Sequence, residues 1–315
     1  MIRKFVIRNF RCLRELELEF EPLTVLVGPN GSGKSAVMAA LNLNDALSVS
    51  TADSWRHMMD REIVREWTTA EGTTGGLAQE VTPGSVNLRQ LGSGTRHPLV
   101  QNLRLDPNNL RRRNQVVRAT QLDNSGGNLA NVFGTLTRKE KIEVAGQLCS
   151  LVPLFTDLDE TPTDTPGMRE LRFQDRWNSH LWYTPAEVSD GTMLLTGFLM
   201  LQYQTPPVDL IAIEEPERSL HPYLLEQLVH MLRQLSRGDI GRHPVQVVLA
   251  THSPDLLEYV QPEEVRFLGR DEGDGSTTVK SAPAKDPDWK RYFEEYEESL
   301  RRAWLSGGLG GVPGA

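Results

Sequence analysis

Lys34 and Ser35 close the stretch Gly28-Pro29-Asn30-Gly31-Ser32-Gly33-Lys34-Ser35, which matches G-x-x-x-x-G-K-[ST] at every required position. These residue types bind polyphosphate. Glycines admit backbone angles that other residues resist, so successive N–H groups of Asn30, Gly31, Ser32 and Gly33 turn toward one anion. A following helix adds the partial positive charge of its N-terminus. Lys34 would reach the β- and γ-phosphates, and the Ser35 hydroxyl would ligate Mg²⁺.

Further carboxylates, a histidine and a hydroxyl stand where such a site needs them. Asp209-Leu210-Ile211-Ala212-Ile213-Glu214-Glu215 is an apolar run ending in two acids. At the C-terminal edge of an open α/β sheet such acids point into the ligand crevice. There Glu214 would hold Mg²⁺ and Glu215 would polarise the water that attacks the γ-phosphate. A second run, Val245 to Ala250, leads into Thr251-His252-Ser253 and sets His252 within reach of the γ-phosphate or that water. Ser189-Asp190-Gly191-Thr192 precedes the apolar segment Met193 to Tyr203, so Ser189 reads as a helix cap whose free N–H groups face an anion. With one face of the nucleotide already served, this second anion-binding start implies a γ-phosphate clasped by a second copy of the chain.

The elements that position these groups follow from patterning. Leu23 to Val27 reads as a buried parallel strand, and Ala36 to Leu47 as the helix after the loop. Ile2 to Asn9 and Leu13 to Phe20 read as two strands before them, with Arg11 in the turn, either a stacking plane for adenine or a solvated residue. The spacing predicts a helix over Trp55 to Trp67, an aperiodic surface loop from Thr68 to Gly94, a strand over Leu99 to Asp106 and a turn at Pro107-Asn108-Asn109. Helices are predicted from Asn128 and over Arg138 to Leu151, and a turn-rich return to the core at Thr161 to Gly167. A strand at Val265 to Leu268, a turn at Asp271 to Gly275 and an acidic amphipathic helix over Asp286 to Trp304 complete the reading.

Composition narrows the class. A chain of 315 residues with 38% hydrophobic content supports a globular core of one large domain or two lobes. Its two cysteines, Cys12 and Cys149, are too few for a disulfide framework, Met1-Ile2-Arg3-Lys4 leads straight into an alternating strand, and no apolar run reaches the roughly 20 residues of a membrane span. The expectation is a reduced, cytoplasmic protein with no membrane partner. A net charge of −8 argues against general attraction to nucleic acid. The cluster Arg111, Arg112, Arg113, with Arg118 nearby, is then either a local DNA-phosphate patch or an exposed basic stretch with internal salt bridges.

Together these stretches resemble the soluble ABC-type ATPases of the RecF/SMC/OLD-like branch. Ile7-Arg8-Asn9-Phe10-Arg11 is similar to that branch's opening. Val188-Ser189-Asp190-Gly191-Thr192 is similar to its signature motif, with Asp190 where transporters carry glycine. Glu214-Glu215-Pro216-Glu217-Arg218-Ser219-Leu220-His221-Pro222 resembles Walker B and the D-loop, and Thr251-His252-Ser253-Pro254 the switch histidine. The resemblance implies an α/β fold: a P-loop NTPase, ABC-type head with an antiparallel N-terminal strand layer and an inserted, mostly helical lobe. On this reading the ATPase core covers 1–50 and 166–315 and the lobe 51–165. It implies ATP and Mg²⁺ as ligands, and a head-to-tail homodimer holding two ATP between one subunit's phosphate loop and the other's signature. Glu214 replaces the aspartate of many relatives, and the Q-loop glutamine stays open among Gln79, Gln90 and Gln101. Sustained heptads between 50 and 166 are absent, which sets the chain apart from SMC arms. Only about sixty residues follow Thr251, fewer than a Toprim domain needs, so a nuclease or other effector is expected on a separate polypeptide. The functional expectation is an ATP-hydrolysing switch in DNA maintenance or anti-phage defence. An ATP-dependent scaffold or sensor with little turnover is the alternative, and a transporter's nucleotide-binding subunit is disfavoured by Asp190 and the Glu215 to Pro222 stretch.

Overall fold

Inward-facing apolar residues build the first layer. In β1 (Ile2–Phe10), Ile2, Phe5, Ile7 and Phe10 turn inward, and in β2 (Leu13–Glu19), Leu13, Leu16 and Leu18 do the same. The two pair antiparallel from Lys4↔Glu19 to Phe10↔Leu13, with Arg11 in the tight turn at φ 50°. This computed structural model describes residues 1–42, 49–57, 62–83, 85–92, 97–282, 291, 293–296 and 299–307. Three more strands, β4 (Ile63–Thr69), β5 (Thr74–Thr82) and β6 (Ser85–Leu91), extend the layer to an antiparallel sheet in the order β2-β1-β4-β5-β6.

These three strands replace the helix predicted over 55–67 and the loop predicted over 68–94. The physical reason is burial of residues that sequence patterning counts as polar or weak. In β4 the inward positions are Ile63, Arg65 and Trp67, and Arg65, only 1% exposed, breaks the apolar alternation. Its guanidinium caps the first helix by donating to the carbonyls of Ala40 (3.5 Å) and Asn42 (3.3 Å), and it also donates to Gln79 Oε1. In β5 the buried stretch Gly75-Gly76-Leu77-Ala78-Gln79 is small or polar but for Leu77, so it carries little periodic signal. Trp67 fills the space over Gly75, where an added Cβ would lie 2.5 Å from the indole.

A second sheet of six strands runs β15-β14-β3-β13-β12-β7. Its members are β3 (Leu23–Val27), β7 (Val100–Leu103), β12 (Leu210–Glu214), β13 (Gln246–Thr251), β14 (Val265–Arg270) and β15 (Thr277–Ser281). β14, β3, β13 and β12 are mutually parallel, and β15 returns antiparallel to β14. All five residues of β3 and all six of β13 are buried, which is why these strands read as unbroken apolar runs. Helix α1 (Lys34–Leu41) buries Ala36, Val37, Met38, Ala40 and Leu41 in one core with Phe5, Ile7, Trp67, Leu77, Ala212 and Val248. Residues 43–47 of the predicted helix lie outside the described residues. Residues 286–290, 292, 297 and 298 of the predicted 286–304 helix also lie outside them, and its end is seen as α7 (Leu300–Leu305).

The chain divides into two compact units: 1–102, 208–215 and 245–315 form the first, 103–207 and 216–244 the second. The expected boundaries at 50/51 and 165/166 do not coincide with this division. Residues 51–102 group with the strand layer, and the turn at 163–167 joins two strands of the second unit.

That second unit holds α2 (Pro107–Leu110), β8 (Asn114–Gln115), α3 (Leu129–Thr135), α4 (Arg138–Leu151), β9 (Phe155–Pro162), β10 (Met168–Asp175), β11 (Trp182–Tyr183), α5 (Asp190–Met200) and α6 (Pro222–Arg237). Helix α4 starts from a reciprocal Thr137–Glu140 capping box, and α5 is buried from Gly191 to Met200. Helix α6, unread in the sequence, starts at Pro222 behind His221 and stops at Gly238 in the left-handed region. No helix among the described residues is long and apolar enough to cross a membrane.

Gln246, 1% exposed, stitches the strand layer to the parallel sheet. It accepts from Ile2 N–H (2.9 Å) and donates to the carbonyls of Ile2 (2.7 Å) and Glu21 (3.1 Å). Gln246→Ala strands the buried N–H and C=O of Ile2 and frees the Glu21 carbonyl, and should lower unfolding free energy by about 2 kcal/mol, read as a fall in the urea midpoint at unchanged slope.

Candidate functional site

Three parallel strand ends meet at one sheet edge. Val27 pairs with Thr251 and Glu214 with Ala250, so the phosphate loop after β3, Glu214 and Glu215 at the end of β12, and His252 after β13 emerge side by side. This is the crevice at which open α/β sheets hold ligands.

The loop is shaped by what packs behind it. Gly33, the residue before α1, has φ 109°, and a Cβ there would lie 2.2 Å from Thr277 Oγ1. Thr277 donates that hydroxyl to Ser32 O (3.0 Å), while Arg270 Nε donates to Gly31 O (2.7 Å). The β14–β15 hairpin thus pins two loop carbonyls away from the crevice. A peptide's N–H points opposite its C=O, so this turns the Gly33 N–H the other way. Thr277 N–H also holds Cys12 O (2.9 Å), and Arg14 pairs with Asp274 (2.7 Å) at the hairpin turn. Ser276, through its hydroxyl and N–H, and then Arg14 keep the Asp274 carboxyl far below the usual carboxylate range. Helix α1 begins with no side-chain cap, which leaves its first amides for an anion.

Lys34 Nζ donates to Gly28 O (2.7 Å) and Pro29 O (3.0 Å), so its ammonium stays at the loop. Ser35 Oγ donates to Glu214 Oε2 at 3.4 Å, bringing together the two groups expected to hold Mg²⁺. A hydroxyl and one carboxylate fit that cation. Among the described residues no cluster of three or more His, Cys, Asp or Glu could cage a metal, so the remaining ligands would come from phosphate and water.

Glu215 takes φ 50°, rare for a residue with a side chain, while its N–H extends the ladder to Ala250 O (2.8 Å). Its Oε1 lies 3.6 Å from His252 Nδ1. A carboxylate and an imidazole thus face each other at the mouth of the crevice, able to accept and relay a proton from water.

The remaining candidates fall elsewhere. Arg11 is bound to Asp53 through Nε (2.8 Å) and lies over the Phe10 ring, beside a 150 Å³ cavity. Burial pushes the Asp53 carboxyl up, but hydrogen bonds from Ser50 and Arg11 outweigh it and leave it below its ordinary value. Ser189, Asp190 and Gly191 belong to the second unit. There Ser189 Oγ caps α5 by accepting from Thr192 N–H (3.1 Å). Gly191 fits under the Ser219 carbonyl, 3.1 Å from where its Cβ would be.

The arginine cluster is largely spent on the protein itself. Arg111 donates to Pro185 O and Val188 O and pairs with Asp190, Arg113 pairs with Asp164 and Glu170, and Arg112 is exposed. Of the three glutamines, Gln79 is buried against Arg65, Gln90 is exposed on β6, and Gln101 lies on β7, the neighbour of β12. Thr277 and Arg270 were not legible as loop partners, because β15 carries no pattern that ties it to residues 245 positions earlier.

Residues 82–258, more than half of the chain, match the family described as "AAA domain, putative AbiEii toxin, Type IV TA system", and residues 1–54 match "AAA ATPase domain". The chain belongs to this AAA-domain ATPase family. Within it, this chain is a P-loop ATPase, and its motifs and fold are similar to those of the ABC-type RecF/SMC/OLD-like branch. It is 44% identical over 43 residues to an OLD nuclease of Thermus scotoductus, 14% of this chain and 8% of that protein. It is also 36% identical over 66 residues to Structural maintenance of chromosomes protein 6 of Saccharomyces cerevisiae, 21% of this chain and 6% of that protein. The matches thus span under a tenth of either relative's length. Its fold is similar to the SMC head domain from Thermotoga maritima (TM-score 0.52, 17% identity, 89% of this chain and 98% of that one). It is also similar to an Smc head domain with an extended coiled coil, bound to the C-terminal domain of ScpA, from Pyrococcus furiosus (TM-score 0.56, 12% identity, 94% and 99%).

Gly33→Ala drives a methyl into Thr277 at a backbone angle that alanine resists. It should weaken binding of a non-hydrolysable ATP analogue by at least about tenfold in calorimetry. Thr277→Val should weaken it less, with Thr277→Ser restoring it.

Proposed function

We propose that the ATPase works as a switch that closes head-to-tail on ATP and opens on hydrolysis, acting with a separate effector in DNA maintenance or phage defence. The observation that carries this reading is the convergence of Lys34, Ser35, Glu214, Glu215 and His252 at one sheet edge, while Ser189, Asp190 and Gly191 form a capped helix start in the other unit. One subunit's loop then holds the nucleotide, and the partner's signature supplies donors to the γ-phosphate.

In this scheme Lys34 leaves the carbonyls of Gly28 and Pro29 for the β- and γ-phosphate oxygens, and Arg11 offers its outer face to adenine. Mg²⁺ held by Ser35 and Glu214 would neutralise charge on the phosphates. Glu214 reaches farther than an aspartate, which suits a contact through water. Glu215 accepts a proton from the attacking water, and His252, facing it, holds that water or the γ-phosphate in line.

The DNA-related setting is supported by the words nuclease and chromosomes in the relatives' names. The arginine cluster adds little to it, because Arg111 and Arg113 are engaged within their own unit. The expected homodimer is supported by the likeness in fold to SMC heads.

Glu215→Gln should abolish turnover while leaving ATP bound, and should accumulate a dimer of twice the monomer mass by light scattering. Lys34→Ala should prevent it. Lost turnover without an ATP-dependent dimer would sink the head-to-tail reading.

A further inference from the structure

An aspartate at a phosphate-binding helix start presents a physical conflict. Asp190 is the first residue of α5, and its side chain is half exposed beside the N–H groups that are to meet a γ-phosphate. Two anions would share one helix end, and like charges at close range destabilise each other by several-fold in affinity. The chain resolves this with Arg111. Its Nη1 lies 2.7 Å from Asp190 Oδ1, its Nε donates to Pro185 O at 2.8 Å and its Nη2 to Val188 O at 2.8 Å. All three nitrogens of one guanidinium are used on the six-residue approach to the signature-like start. Lysine, with a single nitrogen on a flexible stem, has no such fork.

The residues around Arg111 place it for this. Asp106 caps the one-turn helix α2 by accepting from the N–H groups of Asn108 and Asn109, and Pro107 fixes its first turn. Leu110 is buried against Gly197 of α5, so Arg111, the next residue, emerges beside that helix with its side chain mostly covered. The approach loop is itself ordered: Glu187 accepts from both the N–H and the hydroxyl of Thr184, each at 2.8 Å. Ser189 and Thr192 share a hydroxyl hydrogen bond at 2.8 Å. Arg111 ties this loop to Asp190 and cancels its charge.

We infer that Arg111 is the positioning residue of the signature-like start: it sets the loop 185–190 and neutralises Asp190, so that α5 of one subunit accepts the γ-phosphate held by its partner. This rests on the head-to-tail reading proposed above. Arg111 touches no phosphate itself.

The test uses full-length chains carrying Glu215→Gln. The affinity of the ATP-dependent dimer is measured by sedimentation, and nucleotide affinity separately with a fluorescent ATP analogue below the dimerisation concentration. Arg111→Ala should weaken dimer formation about tenfold or more, the scale of one charge-assisted contact, while nucleotide affinity changes less than about twofold. Arg111→Lys should recover only part of the loss. Arg111→Ala with Asp190→Asn should dimerise better than Arg111→Ala alone, because the unpaired carboxylate is gone. A merely structural role predicts the opposite, since the double variant removes more contacts. A thermal melt by circular dichroism at the parent's midpoint reports an intact fold of each variant, and Arg111→Lys serves if Arg111→Ala does not fold. Dimerisation of Arg111→Ala at the parent's affinity, or a double variant no better than the single, overturns the inference alone. A Glu215→Gln parent that stays monomeric with ATP overturns the head-to-tail reading, and this one with it.

Discussion

Parallel register is the constraint on which the proposed catalytic groups depend. β3, β13 and β12 are paired so that Val27 stands beside Thr251 and Ala250 beside Glu214. A shift of one residue would turn every side chain to the other face of the sheet, and with it separate Ser35 from Glu214 and Glu215 from His252. The register is enforced by burial, since β3 and β13 have no exposed position to slide toward. The groups at the edge are therefore held in place by residues buried within the sheet.

A second set of forces supports the loop from outside the sheet edge. Thr277 and Arg270 hold the carbonyls of Ser32 and Gly31, and Arg65 holds those of Ala40 and Asn42 at the far end of α1. The phosphate loop and its helix are thus gripped at both ends by side chains from other strands. Arg65 is a full charge at 1% exposure, tolerable because its donors meet helix carbonyls, Gln79 and the Phe10 ring. The strand layer is more than a cover for the core: through Arg65 it reaches the nucleotide-binding helix directly.

The second unit shows the same economy in Arg111. A cluster of like charges in a sequence reads naturally as a surface for an external anion, yet Arg111 and Arg113 are consumed by carbonyls and acids of their own unit. What such charges face is a property of the fold, because the partners lie 51 to 79 positions away along the chain.

That the loop, Glu214-Glu215 and His252 stand at the ends of adjacent strands was legible from order and type alone. The glycine-rich loop, the apolar strand ending in Glu214-Glu215 and the strand ending before His252 each carry a local signature, since a buried parallel strand must be apolar and a phosphate nest must be glycine-rich. The antiparallel opening followed from the same local periods, and the α/β class from the resemblance those motifs carry. Tertiary structure decided the rest. It made strands of 63–91 by burying Arg65, Gln79 and two glycines, drew Thr277 across to Ser32, and turned Arg111 toward Asp190. Local pattern records which face of an element is apolar. Which distant residue satisfies a buried charge or carbonyl is settled only when the chain folds back on itself.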